Sequence, residues 1–160
     1  MTRILNYSKK IIFSIIAFFL LILSISAQGA VQKPVRAKHD MVVTANPLAT
    51  KVGISILKKG GNSIDAAVAV GFALAVVYPY AGNIGGGGFM VIHLNNGKNT
   101  TIDFREKAPL KASRNMYLDK DGNYISSLSK EGAKAVGVPG SVAGMIYALK
   151  KYGTMTLAQV

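Results

Sequence analysis

Arg105 is a side chain whose type and setting could bind a small acidic ligand. It lies in the segment Asp103-Phe104-Arg105-Glu106, directly after the β-like run Thr100–Phe104. A planar guanidinium can donate two parallel hydrogen bonds to a carboxylate, which suits arginine to holding carboxylic acids. The residues by themselves favour a purely structural role, an ion pair of Arg105 with Asp103 or Glu106.

Other residue types that could do chemistry occur without the spacing that the chemistry needs. His39 and His93 have no metal-ligand spacing to any other side chain, and the sequence has no cysteine. Ser141 lies in GSVAG, where glycine directly precedes the serine, unlike the nucleophile elbow of hydrolases. We therefore predict no metal and no cofactor, and interpret Ser141 as a helix cap.

An acidic turn, Asp119–Asn123 (DKDGN), superficially suggests a calcium loop. A calcium loop of the EF-hand type needs glycine at its sixth position and glutamate at its twelfth. Those positions hold Tyr124 and Lys130 here. We therefore interpret the segment as a turn and reject calcium binding.

Four consecutive glycines, Gly85–Gly88, stand between a helical and a β-like pattern. Loops that bind phosphate have the opposite order, because their glycines follow a strand and open a helix. Nucleotide binding is therefore not expected. The glycines instead predict close packing of a strand against neighbouring backbone, where any side chain would clash.

The elements that must position these residues are mixed helices and strands. Asn46 and Pro47 predict a helix that carries Leu48, Val52 and Ile56 at four-residue spacing and stops at Gly60-Gly61. A second helix, capped by Asn62 or Ser63 with Asp65 in its first turn, is apolar on every side from Ala66 to Val77, which predicts burial. A third helix is expected between Ser141 and Gly153.

Short β-rich runs complete the pattern. Met41–Thr44 predicts a strand, and Phe89–Leu94 with Thr100–Phe104 predict a hairpin in which Gly97 takes a positive φ. The capping-box sequence Thr156–Gln159 (TLAQ) announces a further helix close to Val160. We therefore expect residues 28–160 to be an N-terminal fragment of a longer protein.

The first 27 residues resemble a secretory signal peptide. Three basic residues precede the apolar run Ile11–Ile25, which ends in small residues. The alternative, a membrane anchor, is less favoured because the run is shorter than the ~20 residues that span a bilayer. We expect cleavage after Ala27, with Ser26 or Ala30 as alternatives, and a periplasmic or secreted protein without a stable membrane span.

The charge of the chain is strongly basic, with 19 Lys and Arg residues against 7 Asp and Glu residues in 160. These basic residues are spread along the sequence instead of forming a stripe with interleaved aromatic residues. The pattern favours a solvated basic surface, so no nucleic-acid partner is expected.

Several long motifs in the same order closely resemble the γ-glutamyltranspeptidase family, over about residues 33–160. They are GGNSIDAAVAVGFALAVVYPYAGNIGGGGFMVI, TIDFREKAP, GVPGSVAG and KKYGTMTL. The resemblance implies an α+β fold, the four-layer αββα sandwich of the Ntn hydrolases, of which this sequence would supply only the N-terminal portion. It also implies a precursor that cleaves itself into a large and a small subunit, with this sequence at the start of the large one.

The resemblance further implies γ-glutamyl transfer from glutathione and other γ-glutamyl amides to water or amino acids. The family's nucleophile is the threonine at the start of the small subunit, which would lie beyond Val160, so we assign catalysis to no residue here. The arginine of the family's Asp-Phe-Arg-Glu motif, which holds the substrate α-carboxylate, corresponds to Arg105. The alternatives are a related Ntn acylase, a poly-γ-glutamate hydrolase, or an inactive truncated remnant.

Overall fold

The computed structural model describes residues 12–18 and 34–160 of the chain. The chain divides into two compact units, Met1–Lys38 and His39–Val160. In the first unit, residues 12–18 form a helix (α1) with exposed side chains. The cleavage positions predicted at Ser26, Ala27 and Ala30 lie outside the described residues, so the signal peptide stays a prediction. Within the described ranges, no helix is both long and apolar enough to cross a membrane.

The second unit begins its regular structure with two helices joined by a tight turn. Helix α2 spans Pro47–Lys58 and helix α3 spans Ser63–Val77. The Asn46 side chain accepts a hydrogen bond from the Leu48 N–H (2.9 Å), which confirms the predicted cap. Gly60 has φ +90°, a conformation that glycine adopts without strain, and it ends α2 as predicted.

The buried face of α2 agrees with the predicted one at Ile56 but not at Leu48 and Val52. Ala49, Gly53 and Ile56 are buried, whereas Leu48 is 54% exposed. Small residues on this face let α2 approach its neighbours closely; a Cβ on Gly53 would lie 2.8 Å from side-chain atoms of both Val42 and Val70. The predicted burial of α3 holds for Ala66, Val68 and Ala69, but Ala67 is exposed and Val76 near the end of the helix is 77% exposed.

A two-stranded antiparallel sheet follows α3. Strand β1 (Phe89–His93) pairs with strand β2 (Asn99–Asp103), with Phe89 opposite Asp103 and His93 opposite Asn99. Gly97 in the connecting turn has φ +81°, which confirms the predicted hairpin. Ile92 and Ile102 on one face are buried, while Val91 on the other face is 81% exposed.

The remaining chain runs through turns and a short 3-10 helix, Ser126–Ser129, to helix α4, Ser141–Tyr152. One core cluster joins α3, the hairpin and α4; its buried members are Ile64, Val68, Ile92, Ile102, Met145, Ala148 and Leu149. A smaller cluster of Ile56, Ala66 and Ala69 lies between α2 and α3. The hairpin and α4 therefore share one core, which fixes the end of β2 relative to α4.

Two predictions of local structure were wrong. Met41–Thr44 forms no strand, since the described strands pair only with each other and this segment instead packs Val42 over α2. Ser141 does not cap α4: it is the first helical residue, and the cap is Gly140, which makes no side-chain cap bond. The backbone N–H groups of Gly140 and Ser141 both point to the Gly86 carbonyl (2.9 and 3.1 Å), and this contact sets the start of the helix.

The last residues form the hydrogen bonds of the predicted capping box, although residues 156–160 are not helical. The Thr156 N–H donates to the Gln159 side-chain oxygen (2.8 Å), and the Gln159 N–H donates to the Thr156 hydroxyl (3.3 Å). Residues 157–159 are a turn. The local signal in the sequence thus produces the expected hydrogen bonds.

Candidate functional site

Arg105 lies two residues beyond the end of β2, on a backbone held by local hydrogen bonds. The Phe104 N–H donates to the Gly88 carbonyl (3.0 Å), which extends the hairpin ladder by one bond. The Arg105 N–H donates to the Asp103 carboxylate (3.0 Å), so Asp103 stabilises the turn that follows the strand. The Arg105 side chain itself is 71% exposed.

The alternative role for Arg105, a structural ion pair, has little support in the geometry. Its closest ionic contact among the described residues joins Nε to the Glu106 carboxylate at 4.0 Å, the outer limit for a salt bridge. Exposed pairs of this kind contribute at most about 1 kcal/mol, and Asp103 uses its carboxylate on a backbone N–H. The guanidinium therefore keeps its hydrogen-bond donors available to a ligand.

A cleft of ≈ 370 Å³ lies beside Arg105. Its walls come from the end of β2, the segment before α4 and the first turns of α4; they include Arg105, Lys107, Val138, Pro139, Ala143 and Tyr147. Two cationic side chains, together with the Asp103 carboxylate that accepts the Arg105 N–H, thus border a largely apolar recess. This combination suits a small ligand with a carboxylate at one end.

A second cleft of ≈ 350 Å³ is lined by Gly86–Gly88 together with Glu106, Ser141, Tyr80 and Asn83. Phe104 lines both clefts, whereas Arg105 lines only the first and Glu106 only the second. Neighbouring residues of the Asp-Phe-Arg-Glu segment therefore contribute to different recesses, and the position of Phe104 affects both.

The glycine run packs against the backbone that carries Arg105, which confirms the predicted close approach. A Cβ on Gly87 would lie 2.7 Å from the Phe104 carbonyl oxygen and 2.8 Å from the Arg105 Cα. A Cβ on Gly88 would lie 2.9 Å from the Phe104 ring. Side chains at these positions would overlap the chain next to Arg105, so the glycines serve packing.

Asp65 is a charged residue whose role the sequence did not reveal. It is completely buried. Its carboxylate accepts hydrogen bonds of 2.7–3.1 Å from four groups, which are the N–H groups of Asn62, Thr154 and Met155 and the Thr154 hydroxyl. Burial opposes ionisation, but hydrogen bonds from Thr154, Asn62 and Met155 outweigh it and lower the pKa of Asp65. Only its place in the first turn of a helix was visible in the sequence.

Asp119 and His93, two further candidates from the sequence, form hydrogen bonds with residues close to them in the chain. The Asp119 carboxylate accepts the N–H groups of Asp121 and Asn123, and the bond from Asn123 is the main reason that the pKa of Asp119 is lowered. His93 Nδ1 lies 2.7 Å from the Asn99 side-chain oxygen across the hairpin. Over residues 12–18 and 34–160, no three His, Asp or Glu side chains are grouped as a metal site would require.

Comparisons of the sequence and of the fold with known proteins point to the same family. The sequence profile described as gamma-glutamyltranspeptidase matches residues 49–160. The chain is 64% identical over 135 residues to a glutathione hydrolase proenzyme of Pseudomonas sp. (strain A14), a match that covers 84% of this chain and 24% of that protein. An acylase ACY 1 proenzyme of Pseudomonas sp. (strain V22) is 44% identical over 135 residues, which are 81% of this chain and 24% of the acylase.

The fold agrees with the sequence matches. The crystal structure of the Helicobacter pylori gamma-glutamyltranspeptidase superposes with a TM-score of 0.73 at 60% identity, over 79% of this chain and 36% of that one. The predicted α+β Ntn-hydrolase fold is thereby confirmed, with this chain forming part of it. The chain spans about a quarter of the length of the curated relatives it matches. On the profile match and these identities, the chain belongs to the γ-glutamyltranspeptidase family.

Proposed function

We propose that this chain is the N-terminal part of a precursor that transfers γ-glutamyl groups from glutathione and related amides to water or amino acids. In this proposal Arg105 holds the α-carboxylate of the γ-glutamyl group. The observation that carries it is the exposed Arg105 guanidinium, whose one ionic contact among the described residues is at 4.0 Å to Glu106 and which borders the 370 Å³ cleft. Family membership supplies the reaction class.

The reaction would proceed through a γ-glutamyl-threonine ester. A threonine hydroxyl in the remainder of the precursor attacks the γ-amide carbonyl, and its proton passes to the threonine's own free amine. That amine then gives the proton to the amide nitrogen, so that the C–N bond breaks and the substrate amine leaves as a neutral group. Water or an amino acid then attacks the ester and releases the threonine. Arg105 takes no part in bond making; it orients the substrate by holding a group that does not react.

The test for Arg105 is its replacement by alanine in the complete precursor. The substrate carboxylate would lose its charged partner, at a cost of roughly 2–5 kcal/mol. If the carboxylate is held equally in the ground and transition states, KM for glutathione rises at least roughly 30-fold while kcat changes little. Arg105→Lys keeps the charge but loses the planar fork, so it should recover part of the affinity.

Arg114→Ala is the matched control, because it removes an exposed arginine that borders neither cleft. A gel for subunit formation shows whether each variant folds and matures, since self-cleavage needs no bound glutamate. A normal KM in Arg105→Ala, or loss of self-cleavage in a folded Arg105→Ala protein, would remove Arg105 from the proposed role.

We further propose export and self-cleavage, with residues 1–27 as the signal peptide and the small subunit of the same precursor as partner. Intact masses of the exported protein test both ideas. One species should begin near Gln28 and the other with a threonine, and residues 1–160 expressed alone should not hydrolyse glutathione. Retention of residues 1–27 would contradict the signal peptide, and activity of the 160-residue chain would contradict a nucleophile outside it.

An acylase is the second candidate reaction, because an acylase proenzyme is 44% identical to this chain. The glutathione hydrolase proenzyme at 64% identity favours the first candidate. Parallel assays with glutathione, poly-γ-glutamate and an acylase substrate such as a cephalosporin side-chain amide would separate these activities.

A further inference from the structure

We infer that Phe104 and the glycines around it, Gly87, Gly140 and Gly144, position Arg105 for carboxylate binding. We call these four residues the Phe104 clamp. The inference rests on the proposed role of Arg105 and extends it, because it assigns these residues a functional task that they perform through Arg105.

The backbone next to Arg105 is enclosed by glycines from two separate segments. A Cβ on Gly140, just before α4, would lie 1.9 Å from the Phe104 carbonyl oxygen. A Cβ on Gly87, just before β1, would lie 2.7 Å from the same oxygen and 2.8 Å from the Arg105 Cα. These distances are shorter than any ordinary carbon contact, so a side chain at either position must displace the backbone that carries Arg105.

The Phe104 ring is enclosed in the same way. A Cβ on Gly144, in the first turn of α4, would lie 2.2 Å from the ring atom Cγ and 2.3 Å from the Phe104 Cβ. The ring also packs against the core cluster that joins α3, the hairpin and α4. The residue before Arg105 is therefore held at its carbonyl, its Cβ and its ring.

Hydrogen bonds prevent the neighbouring segments from moving away. The Gly86 carbonyl accepts the N–H groups of Gly140 and Ser141, so the glycine run is tied to the start of α4. On the far side of Arg105, Lys107 and Val138 exchange two backbone hydrogen bonds (2.8 and 3.2 Å). Because both ends of the segment are fixed, an added side chain would shift the segment's middle, where Arg105 lies.

A shift of this kind should affect binding more than chemistry. A misplacement of about 1 Å in a positioning group can cost about 100-fold. Arg105 holds a group that does not react, so its displacement should appear in KM for substrates that carry the α-carboxylate. A substrate without that carboxylate, such as a γ-aminobutyryl amide, should be used equally well before and after the change.

The experiment compares Gly87→Ala with Gly85→Ala in the complete precursor. Both replace a glycine of the same run, but the one described atom that a Cβ on Gly85 would meet within 4 Å is the Asn83 side-chain oxygen, at 3.3 Å. We expect Gly87→Ala to raise KM for glutathione at least tenfold with kcat nearly unchanged, and Gly85→Ala to stay within twofold. Catalytic efficiency on the γ-aminobutyryl amide should be unaffected by either change.

A double variant separates this inference from the proposed function. If Gly87 acts through Arg105, adding Gly87→Ala to Arg105→Ala should leave KM at the value of Arg105→Ala alone. A further rise of the same factor, an equal loss on the γ-aminobutyryl amide, or a normal KM in Gly87→Ala would overturn the clamp and leave the role of Arg105 intact. A normal KM in Arg105→Ala would instead refute the proposed function and, with it, the clamp.

If Gly87→Ala fails to form subunits, Phe104→Leu tests the clamp by the same measurements of KM. It keeps the backbone and removes the ring that Gly144 contacts, so it loosens the clamp without adding an overlap. We expect a severalfold rise in KM for glutathione, absent in the Arg105→Ala background. A KM equal to that of the unmodified enzyme would overturn the clamp.

Discussion

Asp65 and Arg105 are charged side chains in opposite settings. Asp65 is fully buried and its carboxylate accepts hydrogen bonds from four groups. Arg105 is largely exposed and, within residues 12–18 and 34–160, has one ionic contact, at 4.0 Å. A buried charge is tolerated only when the protein itself replaces the hydrogen bonds of water. Asp65 therefore serves the fold, and Arg105 retains the free donors that a ligand needs.

The two regions are linked through α4. Asp65, at the start of α3, binds Thr154 and Met155 just beyond the end of α4, and Asn62 donates to the Tyr152 carbonyl (2.7 Å). The other end of α4 carries two glycines of the Phe104 clamp. Asp65 thus fixes one end of the helix whose other end borders the Arg105 backbone.

The largest effect on stability is expected from Asp65→Ala. Removal of the carboxylate leaves the partly buried N–H groups of Asn62, Thr154 and Met155 without their acceptor. We expect the free energy of unfolding to fall by about 3 kcal/mol, since one hydrogen bond to a charged group contributes ~1.5–3 kcal/mol and Asp65 accepts several. Chemical denaturation measures this, with exposed Asp121→Ala as the control; equal midpoints for the two variants would contradict a structural role for Asp65.

Much of the helical fold could be predicted because its signals are local. Asn46, Asn62 and Gly153 mark helix ends by hydrogen bonds or backbone conformations that involve residues close in sequence. The hairpin turn at Gly97 has the same local origin. Met41–Thr44 failed as a strand because a strand needs a partner elsewhere in the chain, and β-like composition alone does not supply one.

The candidate site was predictable only in part. The motif around Arg105 pointed to carboxylate binding, and the glycine run to close packing. The sequence could not show that Phe104 is the contact of Gly140 and Gly144, nor that the donors to Asp65 come from Thr154 and Met155, 89 and 90 residues away. Such contacts follow from tertiary packing, which periodicity and capping signals do not encode.

The setting of Asp65 also predicts that its contribution to stability depends on pH. Because its pKa in the folded protein is lowered below the ordinary value of 3.8, the ionised carboxylate stabilises the fold fully above that value. This contribution is lost as the pH falls through the lowered pKa. The free energies of unfolding of the unmodified protein and of Asp65→Asn should therefore differ at pH 6 and become more similar under more acidic conditions. A difference in free energy that stays constant down to pH 2 would contradict the expectation.

The smallest effect on stability is expected from Arg105→Ala, although its effect on substrate affinity should be large. The side chain is exposed and its contact with Glu106 at 4.0 Å contributes little, so the free energy of unfolding should change by less than about 0.5 kcal/mol. Denaturation of Arg105→Ala beside Glu106→Gln measures this, because both variants remove the same ion pair. A loss of 2 kcal/mol or more in Arg105→Ala would place Arg105 with Asp65 among the residues that hold the fold, and would remove the contrast on which its assignment to a ligand depends.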